Sequence, residues 1–237
     1  MKERNKYHIA DICNLIIFYS VFICLFVASI MGIVQCAEGT LQLHNAIFRV
    51  LFVLLMCLPY LIKMLFKITF SRVVSIVFYL YMFLAAFLGN VLQFYVRLPE
   101  WDMFIHFLMG ATLSVLSIYI LNYTIYKKDK SRHNLFFTFL FMLMFAMGIG
   151  ALWELYEFTG DLLFNIGAQR YLDVATGTPF VGQVALYDTM LDLFMDFLGA
   201  LAGIVFTLLL IKINKRFLKT FVITKLKTKQ EIEDIEE

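Results

Sequence analysis

Six stretches of almost unbroken apolar residues, near 11–35, 46–66, 73–95, 102–126, 134–158 and 190–211, alternate with short polar or basic connections. Each reaches the roughly 20 residues that a helix needs to cross the hydrocarbon of a bilayer. The pattern predicts an all-α, polytopic membrane protein: a domain of six transmembrane helices over residues 1–213, with one long outer loop at 165–187, followed by a basic and acidic tail at 214–237. The first stretch exceeds the roughly 7–15 apolar residues of a secretory signal, so it counts as a span. Pro59 predicts a kink in the second span, which a membrane helix tolerates.

The polar residues inside these runs carry the information. On the last span Asp188, Asp192 and Asp196 recur every fourth residue, so a helix places them on one face, and Gly199 and Gly203 continue that face. Ionisable residues in a membrane helix are costly and turn towards protein or a water-filled cavity. On the fourth span His106 lies one turn deeper than Asp102, with Gly110 and Ser114 on the same face, while Trp101 suits an interfacial anchor and Asp102 an N-cap. The fifth span carries Gly148 and Gly150, which permit close helix contact, and ends in Glu154, Glu157 and Asp161, spaced by three and four. Spans one to three are nearly free of charge, with Asp11 and Arg49 near membrane edges, and read as scaffold. Because they lack counterparts to the later acids, a transporter built from two inverted repeats is disfavoured.

Composition removes the soluble alternatives. A chain of 237 residues that is 62% hydrophobic and 16% charged, with a mean hydropathy of +0.82, is too apolar for a water-soluble domain. Of its 20 Lys and Arg residues, 17 fall in the N-terminus, the second and fourth connections and the tail; the others are Arg49, Arg97 and Arg170. By the positive-inside rule both termini are cytoplasmic, and the expected location is a bacterial inner membrane. Ten of the 18 acids then lie on the outer side or at outer helix ends, which with three arginines leaves a formal charge of −7 there. Such an excess calls for a cation or bound protons. The basic tail suits anionic lipid, and nothing points to nucleic acid. The four cysteines, Cys13, Cys24, Cys36 and Cys57, have no CxxC spacing, so neither a zinc knuckle nor a redox pair is indicated.

Depth ties the three acidic helices together. Counting about 20 residues outward from Lys127, Asn134 and Lys212 reaches Phe107, Glu154 and Asp192. Asp102/His106, Glu154/Glu157 and Asp192/Asp196 are therefore expected at one depth near the outer boundary, around one pocket.

Over about residues 98–205 this set resembles the VanZ-like superfamily of bacterial membrane proteins. The Glu154-x2-Glu157 end and the Tyr187-Asp188-Thr189-x2-Asp192 start of the last helix are closer to its YjdF-like inner-membrane proteins. The chain departs from that pattern at Val184-Ala185-Leu186, where a Gln-Gly-Asp segment is usual, and at Asp196, where Asn is common. The resemblance implies a helical membrane protein with a polar site and fixes no activity.

Three functions compete. One is a metal-dependent enzyme acting on a lipid-linked or amphiphilic substrate: His106, Glu157 and Asp192 would hold a divalent ion (Zn, Mn, Fe or Mg), Glu154 and Asp196 would do the acid–base chemistry, Asp102 and Asp188 would orient the ligands, and Arg170, the one base of the outer loop, would contact substrate. Another is a proton-coupled carrier or an envelope-stress or antibiotic-tolerance factor without catalysis, in which the acids titrate. The last is a structural partner for other membrane proteins through the glycine faces. No HExxH, GxSxG or lipid-phosphatase motif selects a reaction.

Overall fold

A computed structural model describes residues 2–70, 72–98, 100–121, 134–173, 176–213 and 224–225. They are helical apart from a two-residue ladder and a few loops. In chain order the elements are α1 (Lys2–Ala37), α2 (Leu43–Met56), α3 (Leu58–Phe66), β1 (Ile68–Thr69), α4 (Arg72–Met82) continued by a π-helical stretch (Phe83–Val91), α5 (Phe94–Arg97), α6 (Trp101–Leu121), α7 (Leu135–Phe164), a 3-10 turn (Gly182–Leu186), α8 (Tyr187–Ile213) and β2 (Thr224–Lys225). Five helical stretches are long and apolar enough to cross a membrane, and a sixth span results if the bent pair α2–α3 is one. The chain is an all-α membrane protein, as the hydrophobic pattern predicts. Its described residues pack as two compact units, one within residues 1–87 and 216–237 and one within residues 88–215.

In the first unit α1 packs on α2 and α4. Its centre is a cluster of large side chains, Phe18, Val21 and Leu25 of α1 with Met56, Tyr79 and Met82. The Phe18 ring meets those of Tyr60 and Tyr79 edge-on or tilted at 5.0 and 5.2 Å, separations at which aromatic pairs attract beyond their area. The expected kink of the second span is a break of 49° at Cys57, with Pro59 in the first turn of α3, where its missing N–H and fixed φ do no harm. Arg72 pairs with both carboxylate oxygens of Asp11. β1 pairs antiparallel with β2 through Ile68–Lys225 and Thr69–Thr224; the rest of the tail at 214–237 and the basic connection at 127–133 lie outside the described residues.

Two span ends among the described residues lie four or more residues from the sequence expectation. The third span ends at Val91 rather than 95, because Gln93 adopts φ +60, a left-handed conformation that cannot continue a right-handed helix. The fifth span runs on to Phe164 rather than 158, until Asn165 turns left-handed at φ +52 and its N–H closes on the Asp161 carbonyl. Asn tolerates that conformation well at a helix end.

The second unit is the bundle α6–α7–α8, dominated by the α6–α8 contact. Lipid tails are as apolar as leucine, so helices in a membrane associate through close packing rather than hydrophobic exclusion, and small residues let backbones approach. Here a Cβ added at Gly110 would collide with the Asp196 backbone, at Gly199 with the Phe107 carbonyl, and at Gly203 with Ser114 and Ala111. Gly150 of α7 leaves room for the Asp196 carboxylate, whereas nothing lies near Gly148. Of the two glycines expected to bring α7 close, only Gly150 does so. The buried hydroxyls of Ser114, Ser117 and Thr207 donate to carbonyls three or four residues back in their own helices, which satisfies them without a partner across the seam.

Candidate functional site

The α6–α8 seam carries His106 and Asp196 to the same place. The imidazole is 2% exposed and the carboxylate fully buried. His106 Nδ1 lies 3.3 Å from Asp196 Oδ2, and its Nε2 lies 3.9 Å from both Asp102 Oδ1 one turn away and Glu154 Oε1 of α7. One ring thus faces carboxylates from three helices. Asp192, one turn before Asp196 and equally buried, completes a group with Asp102 and His106 in which one ligand atom from each lies within 4.8 Å of the others. Three ligands with bonds of about 2.0–2.2 Å to one tetrahedral ion stand about 3.4 Å apart, so the side chains would have to draw in by about 1 Å to close on it.

Around this group several oxygens are buried without a hydrogen-bond partner: both of Glu154, Oδ1 of Asp196 and Oδ2 of Asp188. Buried polar atoms are nearly always satisfied, and an unpaired carboxylate oxygen in a low-dielectric site is costly. The donor set is hard oxygen plus one imidazole, which suits Zn, Mn, Fe or Mg.

The outer loop supplies the counter-charge. Arg170 Nη2 bonds Asp102 Oδ2 at 2.9 Å and the Tyr95 carbonyl at 3.2 Å, and Nη1 bonds Asp188 Oδ1 at 3.4 Å. Gly89, at the end of the π-helical stretch, leaves space for the Tyr95 ring. The loop reaches this position because Asp161, buried at the end of α7, accepts the N–H groups of Ala168 and Gln169 at 2.8 and 3.0 Å. The Gln169 amide then donates to Thr189 at 2.9 Å. Arg170 itself takes φ +46, so its guanidinium folds back over the acids.

The residues expected at the site are placed as follows. His106, Asp192, Asp196, Glu154 and Asp102 converge, and Asp102 joins His106 and Asp192 in the trio. Glu157 is not in that trio; half-buried, its carboxylate accepts from Trp153 Nε1 at 2.9 Å. Asp188 lies in the first turn of α8 and accepts from Arg170. Asp161, which shares the spacing of Glu154 and Glu157, is a loop anchor. Arg170 touches acids of the protein itself. Its fold-back and the role of Asp161 were missed by sequence reasoning, and the one signal was that the loop holds a single base.

Residues 15–213 match a family described as "Predicted membrane protein (DUF2238)". A protein of Thermotoga maritima described only as "Uncharacterized protein" is 30% identical over 117 residues, covering 49% of this chain and 52% of that protein. The chain thus spans about half the length of the curated relative it matches. No solved structure matches.

Proposed function

The chain belongs to the DUF2238 family of membrane proteins, and we propose that it is a metal-dependent hydrolase acting on a lipid-linked or amphiphilic substrate, with Asp102, His106 and Asp192 holding one divalent ion. The observation that carries this reading is Glu154: its carboxylate is buried beside that trio, with Oε1 3.9 Å from His106 Nε2 and too far to accept from it. A bound ion offsets the excess of acids and supplies an activated water and a Lewis acid. Asp196 takes the Nδ1 side of the imidazole and so leaves Nε2 as the ligand atom. Glu154 is the base that receives the proton of the attacking water. Arg170 balances Asp102 and Asp188 at the rim and is the group that would first meet an anionic headgroup.

The resemblance to YjdF-like proteins of the VanZ-like superfamily supports a site at these residues and leaves the reaction open. By the distribution of Lys and Arg, the site opens to the outer face of a bacterial plasma membrane with both termini inside. The experiment is metal analysis of the purified full-length protein. Stoichiometric metal in the wild type, lost in Asp192→Asn, is expected; no metal in the wild type overturns the reading.

A proton-coupled carrier is the second reading. It is favoured by Ser114, Ser117 and Thr207, all fully buried, which extend the polar face inward along the same seam. A metal-free protein that moves protons in liposomes, with the flux lost in Glu154→Gln, would select it.

A further inference from the structure

We infer that the first unit carries a second site, for one anionic phospholipid, at Arg49. Arg49 of α2 is 8% exposed. Its stem lies over Gly32 of α1, where a Cβ would stand 2.8 Å from Arg49 Cδ, so the glycine leaves the space that the side chain fills. Nη1 donates to Gln35 Oε1 at 3.1 Å, and Nε is buried with no acceptor. Among the described residues Arg49 is in no ion pair, whereas Arg72 and Arg170 each pair with an aspartate. A guanidinium never gives up its proton in a protein, and a buried charge in a membrane helix is paired or marks a binding site. Gln35 supplies one neutral oxygen, and no described side chain supplies the negative charge that the guanidinium calls for.

The surroundings specify what brings it. Ala46, one turn before Arg49, faces the space at Gly32 and also lines an open groove of about 420 Å³ between α1 and α2. The other walls include Ile33, Cys36 and Ala37 of α1 and Ile47 and Val50 of α2. The groove is apolar and lies between α1, long and apolar enough to span the membrane, and the apolar helix α2, so it fits an acyl chain. A cation one turn along α2 from the groove wall at Ala46 fits a lipid whose phosphate bears a net negative charge: the guanidinium fork binds phosphate oxygens in pairs, and the acyl chain runs past Ala46 into the groove. This site is independent of the acidic one in the other unit and does not rest on its chemistry.

The test uses full-length protein in neutral detergent, with dioleoyl-phosphatidylglycerol, dioleoylglycerol and inorganic phosphate as probes, read by native mass spectrometry and thermal unfolding. Phosphatidylglycerol is expected to bind at one copy per chain and raise the unfolding temperature, with dioleoylglycerol and inorganic phosphate doing neither. Arg49→Gln should weaken its occupancy by about tenfold or more, the loss of charge-assisted bonds to one headgroup. Should Arg49→Gln fail to fold, Gln35→Glu keeps the cation and gives it an internal carboxylate. That variant should be at least as stable as the wild type and lose its preference for phosphatidylglycerol over dioleoylglycerol. Equal binding of both lipids by the wild type, an equal shift with inorganic phosphate alone, or an unchanged preference in Gln35→Glu would overturn the proposal.

Discussion

In the first unit the helices meet through large side chains: Leu25, Met56 and Tyr79 are at most 2% exposed, and aromatic rings interlock around them. In the second they meet through the near absence of side chains, at Gly110, Gly199 and Gly203, with hydroxyls and carboxylates filling the remaining space. Among the described residues the buried charge has opposite sign as well, a single guanidinium in one and a group of acids in the other. Large apolar side chains tolerate small shifts, because many rotamers fill nearly the same volume. Backbone against backbone does not, and a site whose ring must sit 3.3 Å from a carboxylate is built where the approach is fixed.

That contrast makes opposite substitutions damaging in the two units. The largest effect is expected from Gly199→Leu. The new side chain would point at the Phe107 carbonyl, and main chain cannot rotate aside, so the cost should exceed the about 1–3 kcal/mol typical of overpacking. Loss of a cooperative thermal transition in detergent checks it. A stable Gly199→Leu protein would show that the α6–α8 seam is loose, and the site geometry with it.

Next in size is Leu25→Ala, which opens a void in the first unit. In water such a change costs about 2–5 kcal/mol. In a membrane part of that, the transfer from water, is missing, so the lower end, about 2 kcal/mol, is expected from lost contacts alone. The readout is a lower unfolding temperature, with metal content, if any is found in the wild type, unchanged. A cost as small as that of a lipid-facing exchange such as Ile23→Ala, where 57% of the side chain is exposed, would mean that the cluster is not a core.

A smaller effect should follow Asp161→Asn. The carboxylate accepts two loop N–H groups, and an amide offers only one oxygen to them, so about 1 kcal/mol of local order is lost, within the range of a single net hydrogen bond. The change should appear in the loop and not in the bundle: faster hydrogen exchange at Ala168, Gln169 and Arg170, with the global unfolding temperature little moved. Uniform exchange through α7 would show that Asp161 supports the helix itself.

How much of this was readable from the chain follows from which features are periodic. The spans were legible as runs, and the inward face of α8 as a four-residue repeat of acids in an apolar field. Counting residues from the basic ends brought His106, Glu154 and Asp192 to one depth, because rise per residue is fixed in a helix. Phase was harder. Glu154 and Glu157 are three apart and both read as inward: Glu154 is 5% exposed, while Glu157 is half-buried and bonds Trp153 one turn back. The π-helical stretch Phe83–Val91 left no mark, since an all-apolar run shows no phase to shift. Arg170 was out of reach, because its position depends on Asp161 gathering two amides seven and eight residues on, and a loop has no period. Arg49 looked like an edge residue; the glycine facing it, Gly32, was the sign that α1 had made room.

The smallest expected effect separates the two glycines of α7, which the sequence treats alike. Both sit in a helix, where replacing Gly by Ala gains roughly 0.5–1 kcal/mol through the reduced entropy of the chain before folding. At Gly148 a Cβ meets nothing within 4 Å, so Gly148→Ala should keep that gain and raise the unfolding temperature slightly. At Gly150 the same methyl would overlap Asp196 Oδ2, and the carboxylate cannot retreat without giving up the His106 Nδ1 contact on the same oxygen. Gly150→Ala should therefore be neutral or destabilising, and it should also weaken any ion bound at Asp102, His106 and Asp192, since the imidazole loses the partner that orients it. Measuring both variants side by side removes the shared helix-propensity contribution. Equal stabilisation by the two would mean that Asp196 does not point at Gly150, and the arrangement of α7 around the site would have to be redrawn.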